Sequence, residues 1–103
     1  MSEQADARAA LAAAQERALA RLASLEREFD EHDPEGATLA FERQHVAALA
    51  DAARADLAEI RAALARLDDG SYGICQVCGA RISAERLAAR PAARTCVGCA
   101  RPR

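Results

Sequence analysis

Apolar and small residues recur along the first two thirds of this 103-residue chain at alternating steps of three and four. Such spacing places side chains on one face of an α-helix and is typical of a coiled-coil seam. The first seam comprises Leu11, Gln15, Ala18, Leu22, Leu25 and Phe29. The second comprises Leu39, Val46, Leu49, Ala53, Leu57, Ile60, Leu64 and Leu67, with one extra residue between Ala53 and Leu57. We expect this stutter to relax the left-handed supercoil locally.

A short breaker, Asp33-Pro34-Glu35-Gly36, separates the two seams. Pro34 cannot continue a helix, and Gly36 permits unusual backbone angles at low cost. The pattern predicts a helix over about residues 3–32, a tip at 33–37 and a helix over about 38–68. Each helix would be about 45 Å long at ~1.5 Å per residue, so the pair should form an antiparallel hairpin. In a simpler interpretation, Asp33 only caps the second helix and Pro34 is its first residue.

The only four cysteines, Cys75, Cys78, Cys96 and Cys99, form two Cys-x-x-Cys pairs that are separated by seventeen residues. This spacing is typical of zinc sites, because each pair aims two thiolates at one point and the intervening chain can bring both pairs around a tetrahedral ion. Four cysteines complete the ligand set. We therefore expect one structural Zn²⁺ without an open coordination position, and no enzyme activity.

Two other interpretations of the cysteines fit the sequence less well. A thioredoxin-like redox motif needs one Cys-x-x-Cys within a strand-and-helix pattern, which neither pair shows. Disulfides need an oxidising compartment, and the acidic, Ala-rich start of the chain does not resemble a secretion signal. Charged residues also interrupt every apolar stretch well before the roughly 20 residues that a membrane span requires. We expect a cytoplasmic protein with reduced or metallated thiols.

Local signals divide residues 70–103 from the hairpin and predict a small zinc-finger module with four cysteine ligands. Gly70 suits a left-handed helix C-cap, and Gly73 frees the chain to enter the first cysteine pair. Ser83 is a candidate N-cap of a short helix that Pro91 would end, with Leu87 turned inward and Arg86 outward. The predicted fold class is therefore all-α: an antiparallel two-helix coiled-coil hairpin at 1–69, followed by a zinc-finger module that contains a short helix.

Charge is distributed unevenly along the chain. Residues 1–70 contain fifteen acidic residues and eight arginines, a net charge of −7, whereas residues 71–103 have a net charge of +5. The acidic residues concentrate beside the breaker, where only Arg27 opposes six of them: Glu26, Glu28, Asp30, Glu31, Asp33 and Glu35. A charge run is usually a solvated face. At the end of a slender hairpin, however, these carboxylates would project together into whatever the tip enters.

The C-terminal part of the chain resembles the zinc-finger signature of the DksA/TraR family. The residues that carry the resemblance are Gly70-Ser71-Tyr72-Gly73-Ile74-Cys75-Gln76-Val77-Cys78-Gly79, Ile82, Arg86-Leu87, Ala89-Arg90-Pro91 and Cys96-Val97-Gly98-Cys99. The match is dense from Asp69 to Ala100, and the preceding acid-tipped hairpin agrees in architecture. The resemblance implies a transcription regulator that binds bacterial RNA polymerase and does not read a specific DNA sequence.

The resemblance also implies how the protein acts. In this family the hairpin enters the secondary channel of the polymerase and its acidic tip approaches the active centre. Well-studied members carry Asp-x-x-Asp-x-Ala at the tip. Here Asp33 keeps the first Asp, Gly36 replaces the second, Thr38 replaces the Ala, and Glu35 lies one position early. Asp33, Glu35, Gly36 and Thr38 are therefore the candidate polymerase-contacting residues, in an altered tip.

Members of the family often act with the alarmone ppGpp, for which this chain is poorly equipped. Of three positions that are basic in responsive relatives, Arg90 matches, but Glu59 and Ala100 occupy the other two. An acidic residue is a poor neighbour for pyrophosphate. We expect weak or absent dependence on ppGpp.

Two other functions remain open from the sequence. The arginines of the module, Arg81, Arg86, Arg90, Arg94, Arg101 and Arg103, could grip nucleic-acid phosphates. Because the hairpin is acidic and Tyr72 is the only aromatic residue near the metal, we do not expect direct DNA binding. Exchangeable zinc would instead indicate a thiol-based redox sensor. The hairpin buries its own seam, which favours a monomer, although its Ala-rich outer faces leave pairing open.

Overall fold

The computed structural model describes residues 3–31 and 37–100; side chains at 29–31 and 37–40 are not described. Four helices occur in this part of the chain: α1 (Glu3–Glu31), α2 (Ala37–Asp69), α3 (Ala84–Ala89) and α4 (Val97–Ala100). Between residues 37 and 100 the only extended pairing is an isolated antiparallel bridge of Ile74 with Arg81. No helix among the described residues has the length and apolar character needed to cross a membrane. The all-α fold class is confirmed.

Helices α1 and α2 pack antiparallel as a hairpin. Arg8 near the start of α1 pairs with Asp68 at the end of α2, with 2.8 Å between Nη2 and Oδ1. Glu26, close to the other end of α1, pairs with Arg54 at 3.2 Å. The 33 residues of α2 extend about 50 Å at ~1.5 Å per residue, close to the longest dimension of the molecule, 53 Å. The hairpin is thus the long axis of the protein.

The predicted seams form two apolar clusters along this axis. The cluster at the base is built on four buried residues, Leu11, Ile60, Ala63 and Leu67, and is joined by Tyr72 and Ala92 from the module. The cluster nearer the tip is built on Leu25, Val46, Ala50 and Ala53. Because the base cluster includes residues from beyond the hairpin, it fixes the side of the hairpin on which the module lies.

The prediction of a stutter between Ala53 and Leu57 is wrong, because the seam residue before Ala53 is not Leu49. Ala50, rather than Leu49, is the buried residue, with only 6% of its surface exposed, while Leu49 is half-buried at the edge of the cluster. With Ala50 in the seam, the spacing from Val46 to Leu57 is a regular four, three and four. A small side chain lets the two helices approach closely, so the position facing α1 is occupied by the smaller residue.

The chain leaves α2 through a glycine turn. Gly70 has φ +86°, the left-handed conformation expected of a helix C-cap. The backbone amides of Ser71 and Tyr72 both donate to the Arg66 carbonyl, at 3.0 and 3.1 Å. This turn sends the chain back toward the base of the hairpin and places the cysteine pairs there. The sequence interpretation placed Ala37 in the tip; it is the first residue of α2.

Candidate metal centre

The four cysteine sulfurs converge on one point of the module. All four Sγ atoms lie within 4.8 Å of one another, and those of Cys78 and Cys96 are 3.8 Å apart. Sulfurs in a tetrahedral site with zinc–sulfur bonds of about 2.3 Å stand about 3.8 Å apart. Cys75 is buried, with 2% of its surface exposed, Cys78 is exposed and the other two are half-buried. The arrangement fits a zinc ion held from inside the module.

Local backbone geometry shapes each cysteine pair. After Cys75 the chain turns so that the Gly79 amide donates to the Cys75 carbonyl at 2.9 Å, and Gly79 adopts φ +76°. The second pair spans the single turn of α4, whose Ala100 amide donates to the Cys96 carbonyl at 3.0 Å. A turn of this tightness brings the two sulfurs of each Cys-x-x-Cys to the same side. The sequence interpretation missed α4, because a four-residue helix has no periodicity to detect.

Backbone amides favour the thiolate form of two cysteines. Amides of Cys78, Cys96 and Val77 donate to the Cys75 sulfur and lower its pKa to about 6. The Cys99 amide lowers the pKa of Cys96 in the same way. The crowded sulfurs of Cys96, Cys75 and Cys78 instead raise the pKa of Cys99 to about 12. The crowding that disfavours the Cys99 thiolate would be relieved by a divalent ion that accepts soft ligands, such as Zn²⁺, bound among the four sulfurs.

Tyr72, which packs on the base cluster, and Arg66 of α2 both hydrogen-bond to the backbone of the module near residue 91. The Tyr72 hydroxyl donates to the Pro91 carbonyl at 2.8 Å. Arg66, buried at the end of α2 with 7% of its surface exposed, directs Nη2 toward the Ala92 carbonyl at 3.4 Å. Burial lowers the Arg66 pKa, and the charge of nearby Arg94 lowers it further. Sequence reasoning missed Arg66, since nothing in its spacing separates a buried arginine from a solvated one.

Four of the six arginines named as possible phosphate contacts lie among the described residues, and these four are not equivalent. Arg81 is exposed at the Ile74 bridge, and Arg90 is exposed at the C-cap of α3. Arg86 was expected to point outward, and this is wrong: it is half-buried, and its Nε donates to the Thr95 carbonyl at 2.7 Å. Arg94 donates from Nε to Glu59 of α2 at 2.6 Å. Arg86 and Arg94 are thus already engaged within the protein.

A groove of about 830 Å³ lies where the module faces the hairpin. Glu59, Arg90 and Ala100, which the sequence comparison with ppGpp-responsive relatives singled out separately, all line it. Five arginines and two acidic residues contribute to its wall: Arg17, Arg21, Arg86, Arg90, Arg94, Asp56 and Glu59. Arg17 and Arg21 were missed, although their spacing of four places them together on one face of α1. The net charge of the groove lining is positive, but one of its arginines, Arg94, is already paired with Glu59.

The tip residues stay predictions. Asp33, Glu35 and Gly36 lie outside the described residues, and Thr38 lies in the first turn of α2, without a described side chain. The described residues that approach the tip include Glu28 on α1, which is exposed, and Phe41 on α2, which is 74% exposed.

Residues 70–103 match the model of the prokaryotic dksA/traR C4-type zinc finger. The chain is 40% identical over 67 residues to the uncharacterized protein YteA of Bacillus subtilis, an alignment that covers 65% of this chain and 28% of that protein. It is 41% identical over 49 residues to the RNA polymerase-binding transcription factor DksA of Haemophilus influenzae, over 48% of this chain and 34% of that protein. The alignments thus span about a third of the length of these relatives.

A solved structure extends the likeness to nearly the whole fold. Transcription factor DksA2 from Pseudomonas aeruginosa superposes with a TM-score of 0.85 and 30% identity, over 93% of this chain and 78% of that one. The chain belongs to the DksA/TraR family. Its four converging cysteines are the C4 zinc site of this family, with one structural zinc ion as the cofactor. The named DksA relatives are transcription factors.

Proposed function

We propose that this protein is a transcription regulator that binds bacterial RNA polymerase by inserting its hairpin into the secondary channel of the enzyme. The observation that carries the proposal is the combination of a helical hairpin, along the 53 Å axis of the molecule, and a C4 zinc module; together they align with DksA2 over 93% of the chain. A rod two helices wide fits a narrow channel that excludes a globular domain.

Zinc acts structurally in this proposal. It holds Cys75, Cys78, Cys96 and Cys99 together and thereby keeps the module folded against the base of the hairpin. The four ligands leave no coordination position for a substrate. The module then sets the direction in which the hairpin projects, because Tyr72 packs on the base cluster and Arg66 of α2 reaches the Ala92 carbonyl.

The effect on transcription is assigned to the tip. Carboxylates of Asp33 and Glu35 would meet basic residues of the polymerase or the Mg²⁺ ions of its active centre. Gly36 and Thr38 are expected to alter the outcome relative to members with the usual tip, because they remove one carboxylate and a small apolar side chain.

Binding to bacterial RNA polymerase, measured with and without a known secondary-channel factor as competitor, tests the proposal. We expect a complex that the competitor displaces. Absence of a complex, or a complex indifferent to the competitor, would refute the assignment. Asp33→Asn should change transcription from a sensitive promoter more than it changes affinity, whereas Asp68→Asn, at the opposite end of the hairpin, should change neither.

We further propose that ppGpp has little influence on this protein. The Glu59 carboxylate is held in the groove by Arg94 at 2.6 Å, where it would repel pyrophosphate. Isothermal titration of the zinc-loaded protein and of its polymerase complex with ppGpp checks this. A micromolar affinity that depends on Arg90 would contradict the proposal.

A further inference from the structure

The two cysteine pairs of the zinc site are supported by the backbone in different ways. The first pair lies in a turn that closes on itself: the Cys75 amide donates to the Ala80 carbonyl at 2.8 Å, and the Gly79 amide donates to the Cys75 carbonyl at 2.9 Å. The second pair, Cys96 and Cys99, spans α4, a single helical turn. One turn of helix has little stability of its own, because helix nucleation is unfavourable. The second pair therefore depends on the segment before it for its position.

Two hydrogen bonds from other parts of the module hold the segment that leads into Cys96. The Gln76 amide donates to the Arg94 carbonyl at 2.9 Å. Arg86 Nε donates to the Thr95 carbonyl at 2.7 Å, and this bond is partly buried. The two carbonyls belong to the consecutive residues directly before Cys96. One backbone bond and one side-chain bond thus connect the second pair to the rest of the module.

Arg86 makes its contact from a backbone that is itself fixed. Its amide donates to Ser83 Oγ at 3.2 Å, and its carbonyl accepts from the Arg90 amide at 2.7 Å. The adjacent Leu87 lies against Gly73, with Cδ1 3.6 Å from the point that a Cβ would occupy there. Because Gly73 leads into the first cysteine pair, α3 is anchored on that side of the module. The Arg86 side chain reaches from there to the second pair.

We propose that Arg86 is a positioning residue of the zinc site, which holds the Thr95 carbonyl and thereby fixes where Cys96 and Cys99 present their sulfurs to the ion. The bond goes to the backbone, so Arg86 acts through Thr95 and is not itself a ligand. Arginine suits this role because its planar guanidinium offers donors in a fixed direction. A hydrogen bond from a charged donor is also stronger than one between neutral groups.

The contact lowers the cost of binding zinc at the second pair. Without it, the ion itself would have to order the segment before Cys96 against the conformational entropy of the chain. Groups that orient the ligands of a metal typically change its affinity about 10–100-fold. Arg86 also lines the groove between module and hairpin, but this role is internal to the module. It rests on the zinc site alone, so it stands or falls independently of polymerase binding.

Competition for Zn²⁺ between the full-length protein and a chromophoric chelator tests the inference. Arg86→Met keeps much of the apolar stem but removes the donors, and it should lower the zinc affinity about 10–100-fold. Arg86→Lys should recover only part of the loss, because an ammonium lacks the planar fork. Arg90→Met removes the same charge from the end of the same helix and is the matched control, with an affinity like that of the natural protein. Equal affinities for Arg86→Met and Arg90→Met would overturn the proposal.

Alkylation of the zinc-loaded proteins, resolved by cysteine with mass spectrometry, separates positioning from a general loss of stability. In Arg86→Met, the rates at Cys96 and Cys99 should rise above those of the natural protein far more than the rate at Cys75. Ser83→Ala leaves the guanidinium in place but removes the acceptor of the Arg86 amide. It should shift the same ratio by a smaller amount, and it keeps the test valid if Arg86→Met does not fold. An equal acceleration at all the cysteines in both variants would refute a positioning role.

Discussion

The hairpin and the zinc module are stabilised in different ways. Two apolar clusters run along the hairpin, and most of the buried residues of the described chain belong to α1 and α2. In residues 70–100 only Cys75 and Ile82 are buried hydrophobic residues, which is too small a core for independent folding. The hairpin is therefore an apolar structure with charged faces, whereas the module depends on metal ligation and on hydrogen bonds to its backbone.

This difference separates two kinds of function in one chain. The hairpin can present side chains far from the base because its helices need no support at the tip end beyond their own seam. The module positions the hairpin and contributes cations to the groove. Removing the metal should therefore destabilise the module far more than the hairpin. Disrupting the base cluster should destabilise both.

Removal of zinc should have the largest effect and should be confined to the module. Structural zinc contributes about 10–16 kcal/mol in zinc-finger peptides. Cys75→Ser, or a chelator, should abolish hydrogen-exchange protection in residues 70–100 while α1 and α2, with 29 and 33 residues, retain most of the helical circular dichroism. Val77→Ala, at a position 71% exposed in the same cysteine pair, is the control and should bind zinc normally. A protected module in the zinc-free protein would show that the regions do not differ as described.

Leu11→Ala should destabilise both regions. Leu11 is 1% exposed and belongs to the base cluster that includes Tyr72 and Ala92 of the module. Truncating a fully buried leucine costs about 2–5 kcal/mol, through lost burial and the cavity left behind. Urea unfolding of the zinc-loaded protein measures this cost. Leu19→Ala, in the same helix but 43% exposed, should cost less than about 1 kcal/mol; equal losses for the two variants would contradict the assigned seam.

Tyr72→Phe should loosen the part of the module that packs on the base of the hairpin, without affecting zinc. The substitution removes the hydroxyl that donates to the Pro91 carbonyl at 2.8 Å. Loss of one such hydrogen bond costs about 1 kcal/mol. Faster amide exchange around residues 91–93, with zinc content unchanged, is the expected result. Zinc loss in this variant would mean that the Tyr72–Pro91 contact and the metal site form one cooperative unit.

Glu59→Gln should have the smallest effect on stability. Its pair with Arg94 joins α2 to the module at 2.6 Å, but both side chains are 45% exposed. Exposed ion pairs contribute about 0–1 kcal/mol and weaken in salt. Thermal unfolding in low and high salt should give a small difference that disappears at high salt. Asp56→Asn, in the same groove, is the control; a large effect of Glu59→Gln alone would make this pair a principal fastener of the module.

The sequence predicted the hairpin and the metal site well, because each has a regular spacing of residues. The hairpin has seam residues every three or four positions, and the metal site has two Cys-x-x-Cys pairs. Leu11, Leu25, Val46 and Leu57 were expected in the seams and are buried. The cysteine spacing likewise predicted the convergence of the four sulfurs. Periodicity failed where two neighbouring residues could each occupy one seam position. It selected Leu49, whereas Ala50 is the buried residue, because the sequence does not reveal how closely the two helices approach.

The polar contacts of the module could not be predicted in this way. Arg86 and Arg66 reach back to the carbonyls of Thr95 and Ala92, so each orientation depends on where a distant loop passes. No repeat encodes such a contact. The joining of Arg17 and Arg21 with Arg90 in one groove is of the same kind, because it arises only when the module folds onto α1. The tip remains a prediction from the sequence.

Photo-cross-linking from two matched positions tests the central claim most directly. A benzoylphenylalanine in place of Phe41 on the hairpin, 74% exposed, is compared with one in place of Val77 on the module, 71% exposed. Incubated with bacterial RNA polymerase and irradiated, the Phe41 derivative should cross-link to subunits that line the secondary channel, and an established secondary-channel factor should abolish the product. Cross-linking from the Val77 position alone, or a Phe41 product that survives competition, would contradict insertion of the hairpin.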